Sequence, residues 1–482
     1  MDALLRARAL EAGRALPTTS HRHVTVQPDA LLLAPLVLNG EDISIHIVAV
    51  GRCGEAPRRL WTPDPRDRRA RDGLLVELST IVDAYFLERA RAGSYPQLWV
   101  SSPAAVTLIE DLAESLRSSR DDPRLRRLGE LLTYPAERHY LAGQQTLQVA
   151  TDALARHYVA GQDPAEGAHL AVALAWHAGL DARSIFGAIH VAETRPGGVR
   201  TLPRFDEDLL VPAIRAYHRA VKIGHGAAAA DRIYGLLEPE VEGLYRGIER
   251  AIDLLVGADL PPLPSLAVLD AREASAFARF MAGRARSNRI ARRDSPRAAA
   301  GRLAEREESA AGMEAAILIE DRVARARGRL DGRVLVGRVT QATTTAAGPR
   351  SVEVAFTLTL DAGAPLRPRA GERWHAVDAA GGVGVGVEIR AIAPDEEGVG
   401  ITCIVRVGRR GKMAPAQGNL LELVREIPAW PRREHAVQHV WARLATLPAT
   451  HDQHTPRPRP PARAARPPAS PSAALLAIRA PR

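Results

Sequence analysis

The sequence predicts a multidomain chain: an α/β unit with a mixed sheet, a mostly helical middle region, a small all-β barrel and a disordered tail. Three observations carry that expectation. Asp29–Val50, DALLLAPLVLNGEDISIHIVAV, places two apolar runs of strand length around Asn39-Gly40, a dipeptide suited to a tight type I′ hairpin because both residues reach φ > 0 at low cost. Between 331 and 407 the composition shifts to Val/Ile/Thr-rich runs separated by Gly, Pro and Asp, as in short strands joined by turns. The 482 residues, 46% hydrophobic and 25% charged, suit a soluble globular composition, long enough for roughly two to four domains.

Residues 1–25 are expected to form an N-terminal helix, and residues 26–135 the α/β domain. Within the hairpin, Ile43, Ile45 and Ile47 alternate with Ser44, His46 and Val48 and are expected on opposite faces. Arg59–Thr62 extends the hairpin into a meander. Asp72-Gly73 opens a helix to about Arg91, with Leu74, Leu75, Leu78, Ile81, Val82, Tyr85 and Phe86 on one wide apolar face. Gly93 ends it, Gln97–Val100 reads as a buried strand, and Ser102-Pro103 caps and starts the next helix. A strand reached through a helical crossover lies parallel to an earlier one. Three antiparallel strands and then a parallel fourth is the ribonuclease H-like order.

Residues 136–270 are Ala/Leu-rich and helical in spacing, cut into short helices by Gly161, Gly179, Pro196-Gly197-Gly198, Pro203 and Pro239. Their histidines (157, 169, 177, 190, 218 and 225) fall in no H-E-x-x-H arrangement and are expected to be structural. After the PPLP linker at 261–264, residues 271–329 read as a basic helical stalk. Its first helix, Arg272–Arg293, sets Phe277, Phe280 and Met281 against Arg279, Arg286, Arg289 and Arg293, with no acid from 274 to 293. That stripe suits a phosphate backbone; the plainer alternative is a solvated face beside Glu305–Glu308. A second helix over 296–329 is expected to pack antiparallel to it.

Residues 330–428 contain five strand-like runs, at 331–339, 351–360, 373–377, 383–392 and 400–407, suited to an OB-like or SH3-like barrel. The loop GRRGK that follows offers Arg409, Arg410 and Lys412 as further phosphate contacts. Residues 429–450 predict a connecting helix with Val437, Val440, Trp441 and Leu444 inward, and His435 and His439 as a solvated pair. Residues 451–482 are Pro/Arg-rich and expected to be disordered.

A formal charge of +9 favours an anionic partner, with nucleic acid ahead of membrane. No window approaches the ~18–20 apolar residues of a membrane span. Cys53 and Cys403 stand alone, and the amino-terminal residues have no apolar core of signal-peptide length. A reducing, cytoplasmic setting is expected.

Catalysis has little to draw on. A two-metal nuclease holding Mg²⁺ or Mn²⁺ needs carboxylates converging on the sheet edge. Leu31–Leu38 (LLLAPLVL) contains no acid, and Gln97–Val100 runs into Ser101-Ser102. The one set available to a nuclease is Glu77 with Asp29 or Asp42, the aspartates lying at strand ends. There is no G-x-x-x-x-G-K-[ST]; GRRGKM lacks its spacing and hydroxyl, and GVGVG at 382–386 lacks the third glycine of a dinucleotide fingerprint. No G-x-S-x-G motif or Cys/His pairing stands out. No cofactor is expected outside the nuclease alternative.

The hairpin, the helix Leu74–Ala90, Tyr95–Ser102 (YPQLWVSS) and Asp122–Tyr134 (DPRLRRLGELLTY) resemble the degenerate ribonuclease H-like front domain of certain large bacterial superfamily 1 helicases. The stalk, the barrel and Arg432–Leu447, leading into LPATH, follow in that family's order. The resemblance spans most of the first 450 residues, and it implies a nucleic-acid-binding accessory region without the ATP-binding core. A separate helicase core or ATPase is then an expected partner. The alternatives are the metal-dependent nuclease and a protein–protein adaptor.

Overall fold

The computed structural model describes residues 2–425 apart from 42, 119–121, 163–165, 287–289, 291–293, 347–350, 362–367, 379–384, 396–397 and 409–414. The expected helix at 429–450, the tail at 451–482, Asp42, Arg289, Arg293, Arg409, Arg410 and Lys412 therefore lie outside the described residues.

The front unit begins with α1 (Asp2–Ala12) and a two-residue strand β1 (Leu16–Pro17). Then come β2 (Leu31–Val37), β3 (Ile45–Arg52), β4 (Arg58–Trp61), α2 (Arg68–Arg91), β5 (Leu98–Val100), α3 (Pro103–Arg117), α4 (Pro123–His139) and β6 (Leu147–Val149). The sheet order is β4-β3-β2-β5-β6. β3 runs antiparallel to β2 and β4, whereas β5 is parallel to β2 and β6 parallel to β5. The meander and the parallel fourth strand match expectation. The fifth strand, β6, does not, because residues 136–270 read as helical throughout.

The hairpin differs from the tight turn expected at Asn39-Gly40. Pairing stops at Val37↔Ile45, leaving a wider connection in which Gly40 takes φ 85°. The connection is anchored from outside: the Asn39 amide donates to Asp206 Oδ2 at 2.8 Å and Thr201 Oγ1 at 3.0 Å. Leu36 pairs with Ile47 and Val37 with Ile45, so His46 is the extra residue of a bulge. A one-residue slip reverses the faces. Ile45 accordingly packs with Val48 and Val50, while Ile47 packs with Ala49 on the other side, splitting the expected isoleucine face.

The chain continues through α5 (Ala150–His157), β7 (Tyr158–Val159), α6 (Leu170–Ala175), α7 (Ser184–Glu193), α8 (Pro203–Phe205), α9 (Val211–Lys222) and α10 (Gly226–Gly257). β7 pairs with β1. Pro239 does not cut α10, which runs through it for 32 residues. Its buried face, from Ile233 through Leu237, Val241, Leu244, Ile248 and Ile252 to Leu255, lies against β2 and β3. At about 1.5–3 kcal/mol per buried aliphatic side chain, that burial outweighs the ~3 kcal/mol cost of an internal proline. With α2, α3 and α4 on one face and α5, α6, α9 and α10 on the other, β2 is buried at every position. A strand covered on both sides needs the continuous apolar run LLLAPLV.

α11 (Leu266–Ala285) is seated on this unit. Phe277 is fully buried, with ring centroids 5.6 Å from Phe86 and 5.3 Å from Tyr134. The helix ends at Ala285, short of the expected Arg293. The expected helix over 296–329 is two, α12 (Pro296–Glu320) and α13 (Arg322–Leu330), because Asp321 leaves helical geometry to cap α13.

The barrel comprises β8 (Val334–Ala346), β9 (Ser351–Asp361), β10 (Arg373–Asp378), β11 (Val385–Asp395), β12 (Gly398–Gly408) and β13 (Leu420–Arg425). It closes in the order β10-β11-β12-β9-β8-β13, all antiparallel. Six strands replace the expected five. The sixth, LLELVR, pairs with both β8 and β10 and removes the open edges. A buried ion pair, Arg325 Nε to Glu422 Oε2 at 2.7 Å, ties α13 to β13. Among the described residues no helix is long and apolar enough to cross a membrane.

Candidate functional site

The carboxyl ends of parallel strands are where open α/β sheets place ligands, at the point where neighbouring strands lead away in opposite directions. Here that point lies between β2 and β5, and the chain fills it itself. The Val37 amide donates to Val199 O at 2.8 Å, and the Thr201 amide donates to Val37 O at 3.0 Å. Residues 197–201 thus extend the sheet across the gap, bridging Val37 in parallel fashion at Arg200. Two glycines make the close fit possible. A Cβ on Gly197 would stand 2.2 Å from the His169 ring, and one on Gly198 would stand 2.4 Å from Ser102 Oγ. Ser101 and Ser102 are buried beneath this plug.

The carboxylates proposed for a nuclease do not gather there. Asp29 precedes β2, at the strand's opposite end, and pairs with Arg89 and, at 4.0 Å, with Arg52. Glu77 is exposed on α2 and pairs with Arg58 at 3.5 Å. Asp29 and Glu77 serve separate ion pairs, and among the described residues no group of three or more His, Cys, Asp or Glu is placed to hold a metal ion.

Of the arginine stripe, Arg279 and Arg286 are described. Both are exposed, seven residues apart, with no ion-pair partner among the described residues. Their neighbours differ: Arg138 pairs with the buried Glu273, and Arg284 with Glu130 at 3.5 Å. Glu305, in the acidic cluster considered as a partner for the stripe, approaches Arg138 at 3.9 Å.

The histidines of the middle region are structural where their contacts are recorded. His157 is buried; its Nε2 accepts the His23 amide at 2.8 Å and its Nδ1 lies 2.6 Å from Ala153 O. Burial lowers its pKa to about 4. His218 reaches Asp64 at 2.9 Å.

A second polar site was not anticipated. Beside edge strand β6, the segment Thr18–His23 and helices α4, α5, α12 and α13 enclose a cavity of about 520 Å³. A neighbouring cavity of about 380 Å³ shares Thr18, Asp152 and Arg327 with it and reaches Pro103 and Thr151 at the carboxyl ends of β5 and β6. Asp321, fully buried, stands behind the lining residue His23. Its carboxylate accepts the Ser20 and His21 amides at 2.9 and 3.2 Å, Ser20 Oγ at 3.0 Å, and the Val323 and Ala324 amides at 2.8 and 3.1 Å. His23 Nε2 lies 3.1 Å from the same carboxylate. Burial alone would raise the Asp321 pKa, but these bonds, His23 foremost, hold it well below the usual carboxylate range.

With Nε2 engaged, His23 Nδ1 is left over. It has no hydrogen-bond partner among the described residues, and neither do Thr19 Oγ1 and His139 Nδ1; all three residues line the larger cavity. Arg156 lines it too, attracted by Asp152 one turn earlier, with no ion pair to any described residue. Burial raises the Asp152 carboxyl above its ordinary value. Together with Asp321 these groups span more than 300 residues, from Thr19 onward, so no local spacing could reveal them. The visible trace is Asp321 itself, an N-cap residue inside an otherwise helical stretch.

No family model matches this chain, and no curated protein matches it. Among solved structures, a flavohemoglobin from Malassezia yamatoensis with bound FAD and heme is similar at a TM-score of 0.16 and 12% identity. That match spans 46% of this chain and 57% of the flavohemoglobin, and a TM-score so low carries no argument about fold or chemistry.

Proposed function

We propose that this is a non-catalytic nucleic-acid-binding protein, a helicase-accessory type built on a degenerate ribonuclease H-like domain. The strand order β4-β3-β2-β5-β6, with two antiparallel and then two parallel pairings, supports the fold part of this reading. The plugged strand end and the dispersed Asp29 and Glu77 support the absence of catalysis.

The observation that carries binding is the pair Arg279 and Arg286. α11 buries Phe277 against the front unit and leaves both guanidinium groups in solvent, without acidic partners among the described residues. Seven residues of helix set them about 10 Å apart, within reach of successive phosphates of one strand. Each phosphate neutralised displaces counterions, so affinity and salt dependence rise together.

The test is fluorescence anisotropy of a labelled single-stranded DNA and RNA at about 50–200 mM salt. Arg279→Glu with Arg286→Glu should weaken binding at least about tenfold and flatten the log–log salt slope by about 1.4, or 0.7 per lost contact. Unchanged affinity and slope would remove this reading. Wild-type protein should leave both labelled strands intact with Mg²⁺ or Mn²⁺, whereas cleavage abolished by Glu77→Gln would restore the nuclease alternative.

A further inference from the structure

The larger cavity beside β6 is independent of the α11 arginines. Its lining pairs polar groups lacking partners with an apolar wall. His23 is 3% exposed and Thr19 is 9% exposed, and each has a polar atom left without a partner among the described residues. A buried polar atom left unmatched costs about 1–3 kcal/mol, so sequestering two beside one cavity calls for a polar occupant. Arg156 decides the sign of its charge. A guanidinium stays protonated in proteins, and here it has no ion pair to a described residue. Of the other charges on the lining, Asp152 stands one turn from Arg156 with its carboxyl pKa raised by burial, Arg327 adds a second cation, and Arg333 pairs with Glu314 and with Asp331, each at 2.6 Å. Met313 and Ile317 of α12 supply apolar lining. At about 520 Å³ the space falls within the ~300–1,000 Å³ range of small-molecule sites.

We propose that this cavity binds a small organic anion, its carboxylate or phosphate head on Arg156 with Thr19 and His23, and its apolar body against Met313 and Ile317. Asp321 does not touch the ligand. It holds His23 with Nε2 turned away, so Nδ1 faces the head group.

Isothermal titration calorimetry on the full chain tests this with four probes: hexanoate, hexyl phosphate, inorganic phosphate and hexanol. At least one of the two hexyl anions should bind with a Kd at or below about 1 mM, a modest affinity for so small a ligand. It should bind about tenfold or more tightly than inorganic phosphate, and hexanol should give no saturable heat. The two hexyl arms identify the head group. Arg156→Gln should weaken the better anion at least about tenfold, the scale of a lost charge-assisted bond, while Arg219→Gln, exposed on α9 away from the cavity, leaves it unchanged. Thr19→Val provides a second reading if Arg156→Gln does not fold, and it should weaken the same anion severalfold. The proposal is overturned if neither hexyl anion binds at about 10 mM. Equal binding by wild type and every folded cavity variant, or equal binding of hexanol, overturns it too.

Discussion

One sheet carries two borders treated in opposite ways. Between β2 and β5, the chain returns through residues 197–201 and satisfies Val37's amide and carbonyl with its own backbone. Beside β6, the edge opens onto a cavity whose walls keep polar atoms unmatched on Thr19, His23 and His139. A ligand needs groups that still have something to gain. The first border also keeps Ser101 Oγ, Ser102 Oγ and His169 Nε2 unmatched, but it packs returning backbone over them so closely that a Cβ on Gly198 would meet Ser102 Oγ at 2.4 Å. The second leaves its unmatched groups on a cavity, although the first is the usual place for ligands in sheets of this kind. In this protein, position in the fold is a poorer guide to a site than unsatisfied groups that have open space beside them.

The open border depends on Asp321, and removing that carboxylate should have the largest effect. Its oxygens, themselves buried, accept five part-buried backbone and hydroxyl donors and contact the buried His23. Asp321→Ala leaves those part-buried donors and the buried His23 without their acceptor and uncaps α13, an expected loss of about 3–5 kcal/mol by analogy with broken buried charge pairs. The urea midpoint checks it, since the m-value should stay constant while the midpoint falls. If the midpoint moves by less than the equivalent of about 1 kcal/mol, water takes over the carboxylate's role and the wall is not held as described.

Acid should attack the same wall in two stages. His157 accepts the His23 amide as a neutral ring, with its folded pKa lowered to about 4 by burial, against an ordinary value near 6.5. Between those values the unfolded chain binds the extra proton and the folded chain does not, so stability falls as pH drops from about 6.5 to about 4. The loss from this one ring is about 3 kcal/mol. His46, buried in the bulge and likewise lowered to about 4, titrates in the same window. The depressed Asp321 carboxyl works lower: its contribution is present above its unfolded value near 4 and is lost only as pH falls further. Urea titrations at several pH values should show His157→Gln losing about one proton of the upper window. An unchanged slope there would mean that His157 is already protonated in the folded state.

What the sequence disclosed and what it hid divide along the same line. Uninterrupted apolar runs such as LLLAPLV and LWV announced strands, and the apolar stripe from Leu74 to Phe86 announced α2, although that helix starts at Arg68 under an Asp67 cap, ahead of the expected Asp72-Gly73. The bulge at His46 was invisible, because Ile43, Ile45 and Ile47 alternate perfectly in sequence and only the pairing with Leu36 and Val37 reveals the slip. β6 is three residues long and lies between helices, too short to break their periodicity. β13 is not among the five runs that read as strands, and its place shows only with β8 and β10 on either side. The arginine stripe needed only helical spacing, and Arg279 and Arg286 are exposed as that spacing predicts. The cavity needed Thr19, His23, Arg156 and Asp321 brought together, and no periodicity spans them.

The sealed border gives the mildest and most local test. Gly198 leaves no room for a side chain, because a Cβ would meet the buried Ser102 Oγ at 2.4 Å. Gly198→Val should therefore push residues 197–201 away from β2, costing about 1–3 kcal/mol as other overpacking substitutions do. Hydrogen exchange locates the damage. The amides of Val37 and Thr201, bonded across the plug to Val199 O and Val37 O, should exchange faster, while those of β6 and α13 keep their wild-type rates. If the two amides exchange as before, Ser102 gives way and the seal does not depend on a glycine there. If β6 and α13 quicken as well, the two borders are coupled, and the sheet does not treat its ends as independently as their hydrogen bonding implies.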